Sequence, residues 1–454
     1  MVFALRCLLP LYLSTLASAQ FPPPPEGVTT LKSRFHDGIK ISYKEPNICE
    51  TTPGVKSYAG YVHLPPNAIN ETYEDQDYPI NTFWWFFEAR KDPENAPLAI
   101  WLNGGPGGSS LIGALTENGP CFVGNDSNST YLNPWSWNNE VNILYLDQPN
   151  QVGYSYDTPT NVTVATTGLQ FEPAIKPGNF EDGVPEQNLT FQVGTLSSQN
   201  PRHTVNSTQH AAVALWHFAQ TFFEEFPFYK PADEKISLFT ESYGGHYGPT
   251  FVSHFMRQNE LIANDTISGP GVHYLHMNTL GIINGCIDAE EQTKAYASFP
   301  YKNTYGVEVF NETQYNHAMY ELNRPGGAIE MLRECQRLQQ TFDPEDHANV
   351  VRINEVCRQA SELAENATYG PYMESGKAGW FDITHVGADP LPPFYFAGFL
   401  NQHWVQQALG VPVNHSFISV PVAEIFQSTG DIMKGGLTQD LAYILYKGVK
   451  VSMM

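Results

Sequence analysis

Several short apolar runs break off abruptly at Gly, Pro or a polar residue: PLAIWL (97–102), VNILYLD (141–147), EKISLF (234–239) and NTLGIIN (278–284). Continuous apolar runs of this length predict strands buried on both faces, as in a parallel sheet covered by helices. Between them the period lengthens. HAAVALWHFAQTFFEEF (210–226) gathers Val213, Trp216, Phe218, Phe222 and Phe223 mostly on one stripe, which predicts an amphipathic helix. Alternating strands and helices imply an α/β core with a mostly parallel central sheet flanked by helices.

Two stretches interrupt that alternation. Residues 157–206, rich in Thr, Asn, Gly and Pro, predict a long surface excursion. Residues 311–366 are charged and helical in period, with Cys335 and Cys357 on either side of FDPEDHANV. They predict a helical cap inserted into the core. A length of 454 residues suits one large core with an insertion. The expected division is a first core portion over 20–285, the cap over 286–390 and a return to the core over 391–454. No internal repeat is present.

The N-terminus has its own pattern. MVFALRCLLPLYLSTLASAQ carries Arg6, an apolar stretch and Ala17-Ser18-Ala19, which reads as a secretory signal peptide over 1–19. As a membrane span the run is shorter than about 20 residues and contains Pro10. No later segment has the length to cross a bilayer. FPPPPEG then predicts an extended arm. Ten N-x-S/T sequons fit secretion: Asn70, Asn125, Asn128, Asn161, Asn188, Asn206, Asn264, Asn311, Asn366 and Asn414. A formal charge of -23 argues against a nucleic-acid partner and suits mildly acid surroundings. Past the signal remain Cys49, Cys121, Cys286, Cys335 and Cys357, an odd number in an oxidising compartment.

The candidate chemistry lies where strands end. KISLF runs into Thr240-Glu241-Ser242-Tyr243-Gly244-Gly245, and Tyr247, Phe251 and Phe255 then follow helical spacing. Strand, sharp turn, serine and helix make a nucleophile elbow, with Thr240 in place of the usual first glycine. WLNGGPGGSS (101–110) follows another strand and is dense in unshielded N–H groups. It lacks the lysine of a phosphate loop, but suits the second oxyanion donor of an α/β-hydrolase. No H-E-x-x-H or C-x-x-C occurs, so neither a zinc peptidase nor any other metal or cofactor is implied. His210 and His217 read as helix-surface residues; Trp84, Trp85, Trp135 and Trp137 as core or pocket wall.

WLNGGPGGSS, ENGP (117–120), NPWSWN (133–138), LDQPNQVGYSY (146–156) and TESYGGHYGP (240–249) together resemble the serine carboxypeptidase family, most of all its secreted fungal members. NGCIDAEEQ (284–292), FLNQHWVQQALGV and FQSTGDIMKGG extend the resemblance along the chain. It implies an α/β-hydrolase core and removal of C-terminal residues from peptides through an acyl-enzyme. By resemblance Ser242 is the nucleophile, and the N–H groups of Gly105 and Tyr243 form the oxyanion hole. Asn103, Gly104, Glu117 and Glu241 bind the terminal carboxylate of a peptide or protein substrate. Two close carboxyls resist joint ionisation, so one keeps a proton to donate and an acidic optimum follows. Non-catalytic binding of peptide C-termini, and acyl transfer or ester hydrolysis on the same fold, remain alternatives. Disulfide connectivity stays open; Cys335–Cys357 in the cap and Cys49–Cys121 across the site loops are the pairings expected. The oligomeric state is open too.

In the resembled family the triad Asp and His follow a late helix and strand. Here TQDLAYILYKG (438–448) and VKV (449–451) supply that helix and the start of that strand. Neither partner occurs between Lys450 and Met454. The expectation is a core without its last strands and helix, and a 454-residue chain that is nearly inactive.

Overall fold

The computed structural model describes residues 21–454 except 73–74, 166–173, 388 and 390–392. The expected signal peptide lies outside the described residues. The apolar runs become the centre of a nine-stranded sheet. β1 (Thr29–Lys32), β2 (Lys40–Lys44), β3 (Ser57–Leu64) and β4 (Ile80–Phe87) meander antiparallel along one side. β5 (Leu98–Leu102) is followed by a ribbon of β6 (Cys121–Val123) and β7 (Thr130–Leu132), then by β8 (Asn142–Leu146). β9 (Thr160–Ala165), β10 (Ala174–Pro177) and β11 (Phe191–Leu196) form a separate three-stranded sheet, so described parts of the expected excursion pair with one another. β12 (Ile236–Glu241), β13 (Met277–Ile283) and β14 (Lys450–Met453) complete the large sheet, whose spatial order is β1-β2-β3-β4-β8-β5-β12-β13-β14. From β8 to β14 every pairing is parallel.

The unbroken apolar runs have a simple cause: both faces of the central strands are covered. Trp84, Phe86, Leu98, Ile100 and Leu102 point into one cluster. It is completed by α1 (Thr208–Glu225) and α2 (Gly244–Ala263). Phe83, Trp85, Phe87, Ala99 and Trp101, one residue out of phase, point into the opposite cluster. The helical stripe of α1 is buried as its period requires, and Ser207 caps its first turn by accepting from the His210 N–H.

Residues 289–375 fold into α3 (Ala289–Ser298), α4 (Glu312–Asn323), α5 (Ala328–Phe342), α6 (Val351–Ala367) and α7 (Tyr369–Ser375). α3 to α6 enclose an apolar cluster of their own, which includes the Cys335–Cys357 disulfide. The chain returns through α8 (Tyr395–Leu400) and α9 (His403–Leu409), which cover the second face of the sheet. α10 (Val420–Thr429) and α11 (Leu437–Tyr446) then lead to β14. Cys49–Cys121 is the other disulfide, and Cys286 is free. Two readings are corrected. Trp135 is 86% exposed, and His210 is buried because the loop after α5 covers it, with His347 3.5 Å away.

Candidate active site

Ser242 occupies the turn between β12 and α2 with φ of 59°, a left-handed conformation that is costly for a residue with a Cβ. Four hydrogen bonds hold it there. Its N–H donates to the Ile283 carbonyl at 3.0 Å and to Asn284 Oδ1 at 3.2 Å. Its carbonyl accepts from Gly245 N–H and Cys286 N–H, each at 2.9 Å. The glycines after it are needed for space: a Cβ on Gly245 would meet the Cys286 carbonyl oxygen at 2.4 Å.

Thr240 fits because the bulk has been exchanged between strand and helix. It is fully buried, and its Oγ1 donates to the Gly244 carbonyl at 2.8 Å. A Cβ on Gly244 would lie 2.6 Å from the Thr240 Cβ, and one on Gly248 2.8 Å from its Oγ1. The helix carries the missing side chains, so the strand can carry a threonine.

The loop after β5 lies directly over this turn. A Cβ on Gly104 would fall 2.4 Å from the Tyr243 nitrogen and 3.0 Å from the Ser242 Cβ. Gly105 follows with φ of 120°, open only to glycine. Among the described residues, neither the Gly105 N–H nor the Tyr243 N–H has an acceptor within hydrogen-bond range. Two free donors therefore flank the serine, as an oxyanion hole requires.

The loop is anchored by Asp147, which the sequence reading did not single out. Its Oδ1 accepts from Ser109 Oγ at 2.6 Å and Ser110 N–H at 3.0 Å; its Oδ2 accepts from Tyr154 N–H at 2.9 Å. His415 Nε2 lies 2.9 Å from Ser109 Oγ. Because that hydroxyl gives its proton to Asp147, His415 donates through Nε2 and leaves Nδ1 unpaired. Burial pushes Asp147 up to about 6 and His415 down to about 3. Ser109 is fully buried, so this Ser–His–Asp group clamps a loop and admits no substrate.

Asn103, Glu117 and Glu241 converge beside the serine. Asn103 Oδ1 accepts from Trp101 Nε1 at 2.8 Å and Gly113 N–H at 3.0 Å, which fixes the amide's orientation. Its Nδ2 then donates to Glu117 Oε1 at 3.3 Å and closely to Glu241 Oε2. Glu117 ends a π-helical turn, Gly113–Glu117, that turns it toward the strand end carrying Glu241. Burial first, and the charge of Glu241 second, push Glu117 up to about 8. Burial raises Glu241 as well, against the Asn103 bond. Glu117 is open to solvent on one side, but the protein crowding its carboxyl makes the charged form costly.

Among the described residues, the Ser242 hydroxyl has no hydrogen-bonded histidine or carboxylate. His246 is buried with Nδ1 2.6 Å from the Cys286 carbonyl and Nε2 3.2 Å from that of Ile432. Asp431 accepts from Thr208 N–H at 3.0 Å, Thr208 Oγ1 at 2.5 Å and the Tyr243 hydroxyl. Asp288 caps α3. None of the three is turned toward Ser242. Asn284 was also missed as a site residue; it holds the serine's N–H from within the NGCIDAEEQ stretch.

Residues 46–454 match the family model described as serine carboxypeptidase. Carboxypeptidase S1 homolog A of Arthroderma otae is 52% identical over 443 residues, covering 96% of this chain and 67% of that protein. Carboxypeptidase Y homolog of Arthroderma benhamiae is 39% identical over 452 residues, covering 98% of this chain and 70% of that protein. Among solved structures, Kex1(delta)p, a prohormone-processing carboxypeptidase from Saccharomyces cerevisiae, matches in fold with a TM-score of 0.60 at 21% identity. That match covers 90% of this chain and 77% of the other.

Proposed function

This chain belongs to the serine carboxypeptidase family, and from that premise we propose that its site removes C-terminal residues from peptides and proteins at acidic pH. Ser242 is the acylated nucleophile in this reading, and the Gly105 and Tyr243 N–H groups receive the oxyanion. The observation that carries it is the Asn103 amide, fixed in orientation and bonded to both Glu117 and Glu241 beside the serine. A terminal carboxylate facing two ionised glutamates would be repelled. A pair that keeps one proton offers a donor beside the Gly104 N–H, with the Asn103 amide tying the two carboxyls together, and holds that proton well above the usual carboxylate range.

The base is the unfilled role. The hydroxyl of Ser242 meets no histidine or carboxylate among the described residues. The sequons and two disulfides support a secreted glycoprotein, and no described helix is long and apolar enough to cross a membrane.

The test takes the 454-residue polypeptide and one peptide as free acid and as amide. Calorimetric binding of the acid but not the amide supports the carboxylate site, and release of the C-terminal residue at acid pH supports the peptidase. Equal binding of acid and amide would remove the carboxylate site. Strong turnover of esters lacking a carboxylate would favour an esterase.

A further inference from the structure

We propose that a row of aromatic rings on the inserted helices, Tyr296, Tyr369 and Trp380, is a binding track for apolar residues of the substrate several positions before the cleaved bond. This rests on the carboxypeptidase reading. If the terminal carboxylate sits at Asn103, Glu117 and Glu241, the peptide leaves Ser242 on the side of the turn away from that cluster. Cys286 lies against the serine's own turn: its N–H binds the Ser242 carbonyl at 2.9 Å.

The row begins at that cysteine. The Tyr296 hydroxyl is close enough to the Cys286 thiol for each to raise or lower the other's ionisation. The Tyr369 ring follows at 6.5 Å from Tyr296, edge to face, and Trp380 at 5.3 Å from Tyr369. At roughly 3.3 Å per residue an extended peptide spans those two steps in three to four residues. Tyr296 and Trp380 are 40% and 41% exposed, so their rings offer apolar area to a ligand.

Trp380 is held out deliberately. The Asp389 carboxylate accepts the N–H groups of Trp380 at 2.7 Å, Phe381 at 2.7 Å and Asp382 at 3.0 Å, closing a turn that presents the indole. On its inner side the indole also packs against Tyr372, whose hydroxyl donates to the Gly379 carbonyl at 2.6 Å. A ring presented by a bonded turn needs little ordering on binding, which favours affinity. The occupant is the apolar or aromatic acyl portion of a peptide, continuous with the serine.

The experiment measures binding of three free-acid peptides to the 454-residue chain: acetyl-Ala-Leu, acetyl-Phe-Leu-Ala-Ala-Leu and acetyl-Ser-Ser-Ala-Ala-Leu. The apolar pentapeptide should bind up to about tenfold tighter than the serine one, the scale of one or two aromatic contacts. Trp380→Ala should abolish that preference and leave the dipeptide unchanged; Tyr296→Ala should reduce it, and unshifted thermal melting shows that each variant is folded. Equal binding of the two pentapeptides, or a preference that survives Trp380→Ala, overturns the track. If acetyl-Ala-Leu binds no better than its amide, the carboxylate site fails instead. The track is then judged on the two pentapeptide amides.

Discussion

Glu117 and Glu241 come from different elements, a π-helical turn and a strand end, and meet at a single donor, the side-chain amide of Asn103. Two carboxyls against one amide cannot both ionise without cost, and that controls how the site responds to pH.

Binding of free-acid peptides should hold while the peptide carboxylate is ionised and Glu117 protonated, and fall as pH rises through about 8, where Glu117 gives up its proton. The sign follows from the raised pKa: the competent, singly protonated pair exists below it and is lost above it. Glu117→Gln copies the singly charged pair wherever Glu241 is ionised. Its affinity should stay flat between pH 7 and 9 while wild type weakens, by titration calorimetry. A parallel fall in the variant would locate the titration elsewhere.

Gly244→Ala should destabilise by about 2–3 kcal/mol, the scale of overpacking a filled core, since its Cβ would lie 2.6 Å from the Thr240 Cβ. Thr240→Gly alone should cost about 1 kcal/mol for the lost hydrogen bond and a further few tenths or more for chain entropy and lost packing. The double variant should recover most of the Gly244→Ala loss. Denaturant melts of all four proteins measure the coupling, and strict additivity would show that the two sites do not press on each other.

His415 is buried neutral, held down to about 3 from an ordinary 6.5. Its contribution to stability is complete above pH 6.5 and drains away as pH falls toward 3, because only the unfolded chain takes up the proton. Asp147 works in the opposite sense: its carboxyl, raised to about 6, costs stability as pH climbs from about 4 to 6. Replacing His415 with Gln should flatten the acid limb of the stability curve by a few kcal/mol at most. Melting temperatures from pH 4 to 7 would show it, and an unchanged acid limb would clear His415 of that role.

The ten sequons should not behave alike. Asn206 is buried, and Asn414 holds Thr195 N–H at 2.8 Å while its amide donates to Asn401 Oδ1 at 3.1 Å. The other eight asparagines are exposed. Glycopeptide mass spectrometry of secreted material should find Asn206 and Asn414 bare. A glycan on Asn206 would contradict the packing around α1.

Much of this protein is written locally. The runs at 97–102, 141–147, 234–239 and 278–284 became β5, β8, β12 and β13, because strands covered on both faces need apolar residues at every position. The elbow at Ser242 is equally local: a strand, a left-handed residue and glycines follow one another in six positions. So are the turn-forming glycines of the 101–110 loop.

Only the tertiary structure decided which distant groups share a space. Thr240 is tolerated because Gly244 and Gly248 stand opposite it, which no reading of position 240 alone reveals. Asp147, Ser109 and His415 are far apart in the chain and meet only because the loop after β8 and the segment before α10 pack against the loop after β5. His210 sits on a helix turn that reads as surface, and a loop of the insertion covers it. Periodicity records which side of an element is apolar; burial of a polar group depends on what arrives from elsewhere.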